Sequence, residues 1–369
     1  MTLDELRRHL DELDARLLEL VAERQRTGRE IARVKRATSR AVRDYARERD
    51  VILGARDRAA RLGVPPDTAE ELMRLLIRSS LTTQEQASVA ALGGGAGQRV
   101  LVIGGAGKIG GWFTQFLASQ GFDVEVADPA PVPEGQKHIF DWRSSDLSHD
   151  YIVVATPLGH TGGILCELAA RRPPGVIFDV GSLKSPLRAG HDALRTAKLK
   201  VTSVHPMFGP NTELLSGRHV IFIDLGNAEA LAAARALFQS TMAEQVVMGP
   251  EEHDRLIAYV LGLSHAVNIA FFTALAESGE AAPRLVEMSS TTFDAQFDIA
   301  SDVAEESPEL YYEIQRLNDY GGESLEALAR AVETVRDAVA KGDFERFRAL
   351  MLRGLEYTKG RRTLSERRA

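Results

Sequence analysis

The sequence predicts three units in series: an all-α three-helix unit, a doubly wound parallel α/β sheet, and an all-α C-terminal unit. Three observations carry this. Apolar residues in the first ninety positions recur at three-and-four spacing. From about 99 to 248, short β-branched runs alternate with helix-length segments, the βαβ rhythm of a sheet covered on both faces. Beyond 249 the strand-like runs stop and long apolar-periodic segments follow.

Leu3, Leu6, Leu10, Leu13, Leu17, Leu20 and Val21 mark a first helix over 2–37, with Gly28 tolerated inside it at modest cost. A second helix over 44–62 ends at Gly63, and Pro65 and Pro66 open a third over about 67–86. Residues 87–98 (ASVAALGGGAGQ) have the composition of a flexible connector. The expected boundaries are therefore 1–88, a linker at 89–98, 99–248 and 249–369. Strands are expected at 100–104, 124–127, 151–155, 176–180 and 220–223. Helices are expected at 255–276, 282–306, 308–318, 323–341 and 343–360.

A chain of 369 residues with 44% hydrophobic and 26% charged residues can build two or three cores. Its net charge of −7 has the wrong sign for a nucleic-acid partner. The first ninety residues carry 18 Lys and Arg against 16 Asp and Glu, so the negative charge lies in the rest. A single cysteine, Cys166, and a charged N-terminus predict a cytoplasmic protein. The longest apolar runs read as short strands, so no membrane segment is expected.

Directly after the first expected strand stands Gly105-Ala106-Gly107-Lys108-Ile109-Gly110, a G-x-G-x-x-G leading into a helix. Gly105 permits the tight turn, Gly107 the approach of a pyrophosphate, and Gly110 close helix–strand packing, as in a Rossmann fold. Asp128, eighteen residues past Gly110, is placed to accept from the adenosine ribose hydroxyls and to repel a 2′-phosphate. NAD is the cofactor expected, with no metal. Thr156-Pro157, the turn Asp179-Val180-Gly181-Ser182-Leu183-Lys184, and His205-Pro206-Met207-Phe208-Gly209-Pro210 all follow strands at the sheet's carboxyl edge.

With HPMFG and the D-x-x-S-x-K turn, 99–360 resembles the prephenate dehydrogenases. The resemblance implies that His205 accepts the proton of the substrate's C4 hydroxyl, Ser182 hydrogen-bonds that hydroxyl, and Thr156-Pro157 lines the nicotinamide. Taken alone, Ser182 could equally cap the helix that follows it. One departure stands out. Where the family places an arginine for a substrate carboxylate, this chain has Asp302, leaving Arg255, Arg284 and Arg316 as candidate cations or pointing to a 4-amino-4-deoxyprephenate substrate.

Arg7, Arg24 and Lys35 on the first helix, Val42-Arg43-Asp44, Arg47-Glu48-Arg49, and Ser80 and Gln84 on the third helix resemble the all-helical chorismate mutases over 3–86. The resemblance implies that Arg7, Arg24 and Arg47 hold carboxylates, Lys35 and Gln84 address the ether oxygen, and Asp44 and Glu48 bind the ring hydroxyl. It also implies a homodimer in which one chain supplies Arg7 to the other's pocket. The rearrangement of chorismate to prephenate is unimolecular and needs only a folded dianion and donors at the breaking bond. Two alternatives stay open: the 4-amino-4-deoxy pair of reactions, or a dehydrogenase whose N-terminal helices only dimerise or regulate it.

Overall fold

The computed structural model describes residues 1–38 and 43–368, with side chains at all of these except 36 and 360–368. Val42 lies outside the described residues. The N-terminal unit is α1 (Leu3–Ala37), α2 (Tyr45–Leu62) and α3 (Pro66–Leu92). Asp44 caps α2 by accepting from the Arg47 N–H at 3.0 Å, and Gly63 ends it in the left-handed region at φ 74°. The second half of α1 packs on α3, where Gly28 is buried against Ser80 and Gln84. A Cβ on Gly28 would lie 3.8 Å from Ser80, ordinary contact distance, so the helix carries the glycine without a steric need for it. The first half of α1 projects, and Leu3, Leu6, Leu10, Leu13, Leu17 and Leu20 are each at least 42% exposed.

The connector expected to be flexible is packed. Helix α3 continues to Leu92 with Ser88 and Val89 buried. A Cβ on Gly93 or Gly95 would come within 2.5 Å of Gln120 or Phe122. Small residues here serve close approach, the other use of glycine.

The sheet contains β1 (Arg99–Ile103), β2 (Asp123–Ala127), β3 (Lys137–Ile139), β4 (Tyr151–Val154), β5 (Val176–Asp179), β6 (Val201–Pro206), β7 (His219–Ile223) and β8 (Glu244–Met248). Their order is β3-β2-β1-β4-β5-β6-β7-β8, and neighbours run parallel except β6 and β7. An all-parallel sheet is thereby corrected: β7 returns antiparallel beside β6. Helices α4 (Lys108–Ser119), α5 (Leu158–Arg171), α6 (Arg188–Thr196) and α7 (Ala228–Ala236) cover the faces. Alternation along β1 sends Leu101 and Ile103 into one apolar layer with Leu165 and Leu168, and Val100 and Val102 into the other with Phe113 and Phe178.

The C-terminal unit is α8 (Pro250–Ile257), a π-helical turn at Ala258–Leu263, α9 (Ser264–Glu277), α10 (Ala282–Glu287), α11 (Thr291–Ala304), α12 (Pro308–Arg316), α13 (Gly321–Ala340) and α14 (Phe344–Arg368). Ser290 caps α11 through the Phe293 N–H, which splits the segment expected as one helix. The unit docks on the carboxyl edge of the sheet through acidic residues. Asp254 accepts from the Lys184 N–H, Glu306 pairs with Lys108 at 3.3 Å, Glu313 accepts from the Gly159 N–H, and Asp319 pairs with Arg188 at 2.9 Å. The span Pro250–Glu277 is one 28-residue helix, long and apolar enough by length and composition to cross a membrane. A helix was expected here at 255–276; it begins five residues earlier, and its first turns are charged with Glu251, Glu252, Asp254 and Arg255.

Two candidate active sites

The first site is a cavity of about 450 Å³ between α1, α2 and α3. Arg24, Lys35, Asp44, Arg47, Glu48, Ser80 and Gln84 all line it, with Glu23, Thr27 and Gly28. Seven of the eight residues singled out from the sequence for this chemistry are therefore brought together. Arg24 is held by its Nη1, which donates to the Leu76 carbonyl at 2.6 Å and to Ser80 Oγ at 2.5 Å. Burial lowers the Arg24 pKa from its ordinary value, yet a guanidinium stays charged at any working pH. Gln84 lines the cavity with its Oε1 buried and without a hydrogen-bond partner among the described residues. The eighth residue, Arg7, is elsewhere: exposed, paired with Asp4 at 3.7 Å, and seventeen residues before Arg24, about 25 Å along the helix.

The second site lies along the carboxyl edge of the sheet. Register pairs Ile103 with Val154, Val154 with Asp179, and Asp179 with Ser203, so the segments after β1, β4, β5 and β6 leave the sheet side by side. Gly104 takes the positive φ of the first turn, at 86°, so Gly105 is not the residue that permits it. A Cβ on Gly105 would instead meet Val126 at 2.6 Å, and one on Gly110 would lie 2.0 Å from the Gly104 carbonyl. Gly107 caps α4 without a side-chain bond, leaving the N–H groups of Lys108 and Ile109 in the first turn without a side-chain cap. Asp128 accepts from the N–H groups of Ala106 at 3.1 Å and Ala130 at 2.8 Å, which fixes its carboxylate beside the glycine turn. Thr156 Oγ1 bonds Thr161 Oγ1, and Pro157 precedes the first residue of α5.

The Asp179–Lys184 turn is built on a buried ion pair. Lys184 Nζ donates to Asp179 Oδ1 at 3.2 Å, the Gly181 carbonyl at 2.6 Å and the Val204 carbonyl at 3.2 Å, using all three ammonium protons. Burial acts to raise the Asp179 pKa, but the Lys184 charge and the His191 hydrogen bond outweigh it and hold the carboxyl far below its usual range. This clamp presents Ser182, whose Oγ is buried without a partner. Ser182 caps no helix: the next helical turn is Ser185–Leu187, entered from Lys184.

His205 belongs to a chain of three groups, two of which the sequence reading missed. His205 Nδ1 lies 2.8 Å from His253 Nε2, and His253 Nδ1 lies 2.7 Å from Asp254 Oδ1. Asp254 also accepts from the N–H groups of Lys184 and Ser185. Although burial raises its pKa, the hydrogen bonds from His253 and Ser185 bring it below the ordinary value, so Asp254 is an ionised acceptor. His253 must then carry its proton on Nδ1 and, neutral because burial lowers its pKa, accept at Nε2. His205 therefore donates from Nδ1 and keeps a lone pair on Nε2. Burial chiefly, then the adjacent His253 and the Lys184 ammonium, push the His205 pKa well below its ordinary value. The sequence signal was the adjacent pair His253-Asp254, buried in a helix whose neighbouring charges Glu251, Glu252 and Arg255 are exposed.

Residues 6–85 match the type II chorismate mutase family, 138–247 the prephenate dehydrogenase nucleotide-binding domain, and 249–353 the prephenate dehydrogenase dimerization domain. A T-protein of Enterobacter agglomerans is 26% identical over 93% of this chain and 89% of its own length. The chain belongs to the bifunctional chorismate mutase/prephenate dehydrogenases. The Gly105–Gly110 turn precedes the nucleotide-binding match, so its assignment rests on its geometry. A 4-amino-4-deoxyprephenate dehydrogenase of Streptomyces pristinaespiralis is 28% identical over 71% of this chain and 93% of its own length. The crystal structure of prephenate dehydrogenase from A. aeolicus in complex with hydroxyphenyl propionate and NAD+ shares the fold, with TM-score 0.57 and 20% identity over 72% of this chain and 97% of that one.

Of the three candidate cations, Arg255, Arg284 and Arg316 are all exposed, and Arg284 pairs with Glu280 at 3.8 Å. Asp302 and Glu306 instead stand near Tyr311, whose hydroxyl pKa is raised by burial first and then by these two carboxylates. Tyr311 in turn lies against His265, ring centroids 4.1 Å apart.

Proposed function

We propose that the helical cavity folds chorismate for its rearrangement and that the sheet edge oxidises the product. In the cavity, Arg24, Arg47 and Arg7 of a second copy grip the carboxylates. Lys35 and Gln84 bond the ether oxygen as charge develops there, Asp44 and Glu48 accept from the ring hydroxyl, and Ser80 fixes the Arg24 fork. The reading rests on the seven sequence-selected residues that line one cavity.

At the sheet edge, the glycine turn, Asp128, Thr156 and Pro157 hold NAD, which when bound supplies the acceptor for the C4 hydride. The lack of room for a Cβ at Gly110 and the α4 N-terminus without a side-chain cap fit that group. His205 Nε2 takes the hydroxyl proton, Ser182 Oγ bonds the same oxygen, and a ketone forms at C4. Carbon dioxide then leaves C1, and the ring becomes aromatic. Asp128, with no arginine in the Asp128-Pro129-Ala130 turn, favours NAD over NADP. The units are taken as 1–88, 99–248 and 249–369, joined through 89–98, where the end of α3 stands. The proposed setting is cytoplasmic, with small-molecule substrates, a second copy on the apolar C-terminal helices, and no nucleic acid or membrane.

A second reading of the substrate is favoured by Asp302 and Glu306: the two substrates share both carboxylates, and the negative field of this corner attracts the one with a cationic 4-amino group more than the one with a neutral hydroxyl. Catalytic efficiency on prephenate and on 4-amino-4-deoxyprephenate separates the two. His205→Asn should lower turnover on the preferred substrate by about 10²- to 10⁴-fold and leave the mutase intact. Parental turnover on both substrates would show that His205 is structural.

A further inference from the structure

The two halves of the chain meet at the mutase cavity itself. Glu48, in the first turn of α2, lines that cavity, and both its oxygens are taken by one guanidinium: Arg43 Nε on Oε1 and Nη2 on Oε2, each at 2.9 Å. The pair is largely shielded, with side chains 27% and 19% exposed, and the planar fork fixes the orientation of the carboxylate. The Arg43 guanidinium also lies 4.3 Å over the Tyr45 ring, and its remaining arm, Nη1, donates to Ser216 Oγ at 2.7 Å. Ser216 is 173 residues later in the chain, in the segment that joins β6, which carries His205, to β7.

That segment is independently tied down. Trp112 of α4 donates to the Thr212 carbonyl at 3.0 Å, and Glu85 of α3 accepts from the Leu215 N–H at 2.6 Å and the Met242 N–H at 2.5 Å. Glu85 is 3% exposed and neighbours Gln84, which lines the cavity. So the wall carrying Glu48 and the wall carrying Gln84 are each bonded to the nucleotide-binding half. Helix α2 buries Ala59 alone and has little core of its own to set the position of Glu48.

We propose that Arg43 is a positioning residue for Glu48, held in place by Ser216, so that the dehydrogenase half completes the mutase site. This rests on the reading of Glu48 as acceptor for the ring hydroxyl of chorismate. A hydroxyl bound alike in ground and transition states shows its loss in KM, with kcat little changed.

The test uses the full-length chain and measures mutase kcat and KM for chorismate without NAD, and dehydrogenase rates on supplied prephenate. Arg43→Lys keeps the charge but loses the fork, and is expected to raise chorismate KM about tenfold. Ser216→Ala is expected to raise it about threefold, Ser216→Thr to restore the parental value, and dehydrogenase rates to hold in all three. Glu48→Gln should raise KM at least as much as Arg43→Lys. If Glu48→Gln raises KM while Arg43→Lys and Ser216→Ala leave it at the parental value, the positioning role is overturned and the reading of Glu48 stands. If Glu48→Gln itself changes nothing, the reading of Glu48 fails, and the inference with it.

Discussion

The protonation pattern of His205, the proposed base, is set by two buried side chains. Asp254 fixes the proton of His253 on Nδ1, and His253 fixes that of His205 on Nδ1, which leaves a lone pair on Nε2. Because burial and the neighbouring charges depress the His205 pKa, the imidazole is neutral throughout the physiological range. Turnover should fall only as pH drops through that depressed value, below about 6.5. In His253→Ala the acceptor that fixes the tautomer is gone, while the burial that chiefly lowers the pKa stays. The acid limb of the kcat profile should stay below about 6.5, with kcat reduced about tenfold. His253→Gln, with an amide oxygen able to accept, should recover part of the rate. Parental kcat in His253→Ala would show that His253 does not orient the base. At Gly110 the constraint is steric: a Cβ would sit 2.0 Å from the Gly104 carbonyl. Gly110→Ala should cost about 1–3 kcal/mol, read as a lower Tm, and weaken NAD binding by more than tenfold. Parental Tm and Kd would contradict that account.

At the scale of elements, period was legible and partnership was not. The 35-residue α1 could be read from its leucine spacing, and β1, β4 and β5 from their β-branched runs. Strand β6 was expected only as the strand that His205 follows; its sequence, VTSVHP, is broken by polar residues, and His205 and Pro206 are its last two positions. Strand β3 has only three residues, and β8 opens on Glu244 and Gln245. Seven of the eight proposed mutase residues were legible because fixed spacing on helices carries them to one cavity. The His253–Asp254 pair and the Arg43–Ser216 bond were not, since each depends on elements far apart in sequence. Helix α1 also poses its own question: half of it projects with an exposed leucine stripe, and Arg7 rides on that half. If Arg7 completes the cavity of a second copy, Arg7→Ala and Lys35→Ala should complement each other. Two nearly inactive variants, unfolded and refolded together, should regain about a quarter of the parental mutase activity, since half the dimers would be mixed and each would hold one intact site. No recovery on mixing would place Arg7 outside the shared site.

The whole molecule joins two unlike chemistries. The rearrangement needs fixed charges around a dianion and no acid or base, and its proposed site is the cavity of about 450 Å³ where Arg24, Lys35 and Arg47 meet. The oxidation needs a neutral base beside a nucleotide, and its proposed site is the sheet edge, where His205 is buried and held by His253. The acidic docking residues of the C-terminal helices close that edge from above, with Asp254 serving both the docking and the base. If the two sites are separate constellations on one chain, removing one donor of the first must spare the second. The most direct measurement is made on the purified full-length Lys35→Ala chain: chorismate turnover without NAD, and oxidation of supplied prephenate with NAD. Mutase turnover should fall by about 10²-fold or more, the scale of one preorganised donor, while oxidation stays at the parental rate. Full mutase turnover in Lys35→Ala, or equal loss of both activities, would contradict the assignment of the helical cavity as a separate active site.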